Sequence, residues 1–142
     1  MSLNDWLKNG WLTEHETSKQ EIEDLFRIVD CDLKDCEATK ISPDWRLNIA
    51  YNAALQCAKA ALAVAGYRPA RESHHYRLIQ SLAHTIQADN KLIIHFDMFR
   101  KKRNISDYLR AGEVSDQEVT EMIALAKKLR TRVKNWMRDK SR

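Results

Sequence analysis

Along most of the chain apolar residues recur at alternating steps of three and four, the period of a helix that buries one face. Ile22, Leu25, Phe26, Val29, Leu33 and Cys36 make one such stripe. Thr17, with Gln20 three residues later, predicts where that helix opens, as a capping box. Ahead of it, Ser2 to Trp11 predicts a short piece with Leu3, Trp6 and Leu7 on one face. Gly10 stops this piece, and its two tryptophans are expected to lie across the rest as a lid.

Ser42-Pro43-Asp44 supplies a cap residue, a proline at the first helical position and an acid at the positive dipole end. The helix it opens, Trp45 to Ala65, is apolar almost all round and is expected to be central. Its one polar row is Asn48, Asn52, Gln56 and Lys59, read as a solvent-facing stripe, with a polar seam as the alternative. Gly66 ends this helix and Pro69 prevents its resumption. Ser73 predicts the next cap, with His75 or Tyr76, Ile79, Leu82, Ala83 and Ile86 facing inward. After a turn at Asp89-Asn90, a helix from Lys91 runs through Leu92, Phe96 and Phe99 into Arg100–Arg103. Ser115 and Glu118 form a capping box with Val114 and Val119 as its staple. Val119, Met122, Ala126, Leu129, Val133 and Trp136 then continue as a bundle seam. The pattern predicts an all-α, antiparallel up-and-down bundle of four or five helices in a single domain, residues 1–142, with 1–16 as lid and 17–139 as bundle.

Composition agrees: 142 residues hold only 3 Gly and 2 Pro, too few for a turn-rich sandwich or barrel. No apolar run approaches the roughly 20 residues of a membrane span, so no membrane partner is expected. Met1 to Gly10 lacks the apolar stretch of a secretory signal. Cys31, Cys36 and Cys57 lack C-x-x-C spacing and fit reduced thiols, which predicts a soluble, cytoplasmic protein. The net charge of +4 is unevenly spread. Glu14 to Glu37 carries nine acids and three bases, −6, while Lys127 to Arg142 carries eight bases and one acid, +7. Such ends can orient the helices of one bundle or of a symmetry mate, or the basic end can read a polyanion. A solvated basic helix end is the commoner reason for such a pattern.

The chemistry-bearing residues are sparse. His15, His74, His75, His84 and His95 include no zinc-spaced pair, and neither a glycine-rich phosphate loop nor Glu-x-x-His occurs. Neither metal nor cofactor is expected. His75, which opens a helix close to the central bundle, is the histidine to watch, with a structural role the plainer reading. Counting from Phe96, the inward face takes Phe99 or Arg100 and then Arg103. An arginine on an apolar stripe must be paired or must meet an anion. Asn104 suits a kink, beyond which Asp107 and Tyr108 can face Arg103. Either Arg103 and Asp107 form an ion pair across a bent helix, or Arg103 binds phosphate with Asn104 and Tyr108. These residues alone favour the ion pair.

The succession Ala50-Tyr51-Asn52-Ala53-Ala54-Leu55, Gly66-Tyr67-Arg68-Pro69, Ser73-His74-His75-Tyr76 and Arg103-Asn104 with Tyr108 resembles the HEPN superfamily of small, largely bacterial helical domains. The resemblance implies a four- or five-helix bundle that usually dimerises with its Arg-Asn motif near the interface. Members include metal-independent ribonucleases of toxin–antitoxin and defence systems, companions of nucleotidyltransferases, and non-catalytic binding modules. The ribonucleases carry a histidine four to six residues after the arginine, and here Arg103 is followed by Asn-Ile-Ser-Asp-Tyr-Leu. Asp107, with a reference pKa near 3.9 against about 6.5 for histidine, is a poor proton donor at neutrality. The expectation is therefore an atypical HEPN homodimer, binding RNA, a nucleotide or a partner protein through Arg100, Lys102, Arg103, Asn104 and Tyr108, with His75 and Asn52. A cognate antitoxin or nucleotidyltransferase is the expected protein partner. The alternatives are a ribonuclease using Arg103 with Asp107, Tyr108 or His75, and a plain interaction scaffold.

Overall fold

The structure, a computed structural model, describes residues 1–38, 40–71, 74–108 and 114–140, the side chains of 104–108 excepted. In chain order the described elements are α1 (Leu3–Lys8), β1 (Leu12–Glu14), α2 (Lys19–Asp35), α3 (Pro43–Val64), β2 (Tyr67–Pro69), α4 (His74–Ser81), α5 (Asn90–Tyr108) and α6 (Asp116–Lys140). The fold is the expected helical bundle. Its core is α3, on which Leu47, Ala50, Tyr51, Ala54, Cys57, Ala58, Ala61 and Leu62 are all buried. It packs chiefly between α6 and α2. The run of alanines on α3 lets neighbouring helices approach it closely.

Helix starts follow their local chemistry. Ser42 caps α3 through its hydroxyl and Pro43 occupies the first turn. At α6 the box is reciprocal: Glu118 N–H donates to Ser115 Oγ at 3.1 Å, and Ser115 N–H donates to Glu118 Oε1 at 3.0 Å. At α2 the cap is Ser18 rather than Thr17, because Ser18 has the extended backbone and its hydroxyl accepts from Glu21 N–H. Thr17 instead donates to the Glu21 carboxylate at 2.7 Å. The expected Ser73 cap lies outside the described residues.

Three further expectations are corrected. The helix after residue 73 ends at Ser81. There Leu82, Ala83 and His84 N–H bond carbonyls three residues back, a tightened turn that carries Leu82 and Ile86 into the core. The polar row on α3 faces α2: Asn52 Nδ2 donates to Asp32 Oδ2 at 2.7 Å and Gln56 Nε2 to Asn52 Oδ1 at 3.2 Å. It is a seam, and of the four only Lys59 is exposed. Finally, α5 continues as helix through Asn104 to Tyr108, where a kink was expected.

The small strands were not foreseen. β1 pairs antiparallel with β2 in the register Leu12–Pro69, Thr13–Arg68 and Glu14–Tyr67. Gly66, at φ +103, turns the chain from α3 into β2. Trp6 is buried and meets Trp11 edge to face at 6.2 Å and the His84 ring at 5.1 Å. The acidic and basic ends meet within the chain, through Arg130–Asp30 at 2.6 Å and Lys127–Glu37 at 2.8 Å.

Candidate anion-binding site

Tyr51 sits in the middle of the most buried helix, 1% exposed, so its hydroxyl must find a partner inside the protein. It finds Nδ1 of His75, 3.2 Å away on the first turn of α4. The His75 tautomer decides which of the two donates. Phe96 of α5 meets the Tyr51 ring edge-on at 5.7 Å. Seven residues further along α5, close to two helical turns, the guanidinium of Arg103 lies 5.2 Å from the centroid of the same ring. Three helices thus converge on one phenol.

The cations here are unequally matched. Arg100 Nε donates to Asp97 Oδ1 at 2.6 Å, and its guanidinium lies 5.4 Å from the Tyr76 ring. Lys101 reaches the same Asp97 at 3.5 Å. Arg103 Nε is buried and has no hydrogen-bond partner among the described residues. A ring face attracts a guanidinium by about 0.5–2 kcal/mol but accepts no strong hydrogen bond from it.

Titration reflects the same geometry. Burial, then the charges of Arg103, His74 and Arg100, hold the His75 imidazole down at about 4. Burial raises the Tyr51 phenol to about 12, with the two arginines partly opposing that rise. Near neutrality His75 is uncharged and Tyr51 protonated. Guanidinium charge thus stands beside a neutral imidazole and a protonated phenol that are bonded to each other.

Other expected site residues turn elsewhere. Lys102 Nζ pairs with Glu118 Oε2 at the start of α6, 3.4 Å away, and Asn52 bonds Asp32 of α2. The side chains of Asn104, Asp107 and Tyr108 lie outside the described residues, and with them the expected Arg103–Asp107 pair. Tyr51, Tyr76 and Asp97 belong to the cluster and were not anticipated. Tyr51 had a signal: a hydroxyl on a helix apolar all round has to be satisfied by something.

A family model for the HEPN domain matches residues 22–136. The chain belongs to the HEPN family. No curated protein matches it significantly. The HEPN span runs from within α2 to within α6 and contains Tyr51, His75, Arg100 and Arg103. The α1 helix and β1 precede it. In this HEPN chain His75, from a different helix, hydrogen-bonds the hydroxyl of the same Tyr51 whose ring Arg103 faces.

Proposed function

We propose that the protein is an atypical HEPN module that binds RNA phosphate at the Arg103–Tyr51–His75 cluster, with Arg100 beside it. The observation that carries this reading is the Arg103 Nε, buried against an aromatic ring without a hydrogen-bond acceptor among the described residues. A phosphodiester oxygen supplies that acceptor and a compensating charge together. Membership of the HEPN family supports RNA as the source of the phosphate and a toxin–antitoxin or defence setting, with an antitoxin or nucleotidyltransferase as partner. A homodimer is supported by Ile94 and Met98, each 60% exposed one turn apart on the helix that bears both arginines.

The position of His75 favours a second reading, a metal-independent ribonuclease. Neutral His75 would accept the proton of a ribose 2′-hydroxyl as that oxygen attacks the adjacent phosphorus. Arg103 would stabilise the charge gathering on the phosphoryl oxygens, and the 5′-oxygen would leave with a proton from water, giving a 2′,3′-cyclic phosphate. One experiment separates the two. Labelled RNA is incubated with the protein, with and without chelator, beside Arg103→Ala and His75→Ala. Binding without cleavage, lost in Arg103→Ala, establishes the module. Chelator-resistant cleavage lost in both variants establishes the enzyme, and RNA that neither binds nor breaks refutes both.

A further inference from the structure

Beyond the His74–His75 pair lies a second basic cleft of about 600 Å³, walled by β1, β2, the latter half of α3, the start of α2 and the first residue of α4. That volume lies within the range of small-ligand sites, about 300–1,000 Å³. Lys59, Arg68 and Arg71 bring three cations to it from α3, β2 and the segment after β2. Arg68 is steadied across the ribbon, its Nε donating to Thr13 Oγ1 at 3.2 Å. His74 lines the cleft, and its ring centroid is 5.4 Å from that of His75 in the Arg103 cluster. Consecutive residues of α4, His74 and His75, thus border the cleft and the Arg103 cluster respectively.

The cleft also contains a carboxylate. Glu21 Oε1 accepts from Thr17 Oγ1 and pairs with His15 Nε2, each at 2.7 Å. Those bonds, with Lys59 nearby, hold Glu21 below the usual carboxylate range, so it is ionised at neutrality. Both bonds fall on one oxygen, and a carboxylate has capacity for more donors. Bare phosphate in this cleft would be drawn to three cations and repelled by Glu21. A ligand combining an anion with N–H or O–H donors suits both walls. A ribonucleotide does so, through its phosphate, its base amino groups and its 2′-hydroxyl.

We propose that this cleft is a second nucleotide subsite, and that the ligand is a single-stranded RNA segment whose phosphodiester occupies the Arg103 cluster while an adjoining nucleotide enters the cleft. Its phosphate faces Lys59, Arg68 and Arg71, and its base or ribose donors face Glu21. This rests on the RNA reading of the Arg103 cluster and adds strand length and single-strandedness to it. Duplex RNA is disfavoured, because a paired base does not splay into a side cleft.

The test uses the full chain, a dye-labelled hexaribonucleotide followed by anisotropy over a salt series, and inorganic phosphate followed through the His75 NMR resonances. In Lys59→Ala/Arg68→Ala, hexamer affinity is expected to fall tenfold or more. The slope of log affinity against log salt should become shallower by about 0.7, the contribution of one phosphate neutralised on a single strand. The response of His75 to phosphate should be unchanged, whereas Arg103→Ala should weaken both readouts. A double variant that binds hexamer like wild type with the same slope, while Arg103→Ala is impaired, overturns the subsite and leaves the Arg103 reading standing. Wild type that does not bind hexamer, or Arg103→Ala that binds it fully, overturns the RNA reading and the subsite with it.

Discussion

The Tyr51 hydroxyl and His75 Nδ1 stand 3.2 Å apart across a sequence separation of 24 residues, joining the central helix to the first turn of α4. Because Tyr51 is 1% exposed, neither water nor a shifted rotamer easily replaces that bond. Tyr51→Phe keeps the ring packing with Phe96 and Arg103 and removes only the hydroxyl. Urea unfolding should register a loss of about 1 kcal/mol for Tyr51→Phe, and about 3–5 kcal/mol for Tyr51→Ala, which also leaves a cavity.

Arg103 and Lys101 test whether position or mere charge governs binding. Lys101 is 66% exposed and already shares Asp97 with Arg100. Arg103→Ala should weaken RNA binding about 10- to 100-fold, the worth of one or two charge-assisted hydrogen bonds. Lys101→Ala should change it by about twofold or less. Anisotropy at one fixed salt concentration compares them, and equal losses would show that only bulk positive charge matters.

His75 makes stability depend on pH. Its folded-state value of about 4 lies below the ordinary 6.5, so the unfolded chain binds the proton more readily. The contribution of neutral His75 is therefore complete above about pH 6.5 and is lost as pH falls from there toward 4. His74 and His84, lowered chiefly by burial, act in the same direction. Denaturant midpoints at pH 7, 6 and 5 should fall for the wild type and fall less steeply for His75→Gln. Saturating phosphate should move the His75 titration upward, since an anion offsets the charges of Arg103 and Arg100.

Arg130 binds Asp30 through two hydrogen bonds, 2.6 and 3.4 Å, yet both side chains are partly solvated. A double-mutant cycle with Asp30→Asn and Arg130→Gln should give a coupling of about 0.2–1 kcal/mol. Raising sodium chloride to about 1 M should shrink it further.

Ile94 and Met98 offer a direct check on self-association. Ile94→Glu and Met98→Glu place charge on an exposed apolar pair and should leave the folded subunit intact. Light scattering coupled to size exclusion should give twice the monomer mass for the wild type and the monomer mass for either variant. A dimer indifferent to both would join through another face.

Much of this architecture was legible because it follows from local rules. The Ser42-Pro43 start, the Ser115–Glu118 box and the stripe from Val119 to Val133 each depend on residues within one or two turns. The β1–β2 pairing was not legible. Its strands are three residues each, lack clear alternation and are brought together only by the path of α2 and α3. The site divides in the same way. Arg103 on the apolar face of α5 could be counted out from Phe96, whereas its neighbours Tyr51 and His75 come from other helices, and no spacing encodes that meeting. Asn52 misled for a related reason: its row was visible, but the identity of the facing helix, and of Asp32 upon it, is a tertiary fact.

The N-terminal tryptophans are wired to this chemistry by an unbroken run of rings and guanidinium groups. Arg77 lies 3.8 Å from the Trp11 ring centroid and 5.3 Å from that of Tyr76, whose ring in turn lies 5.4 Å from the Arg100 guanidinium. Indole emission responds to nearby charge and packing, so the proposed binding of phosphate beside Arg100 is expected to register as a change in tryptophan fluorescence, readable without any attached dye.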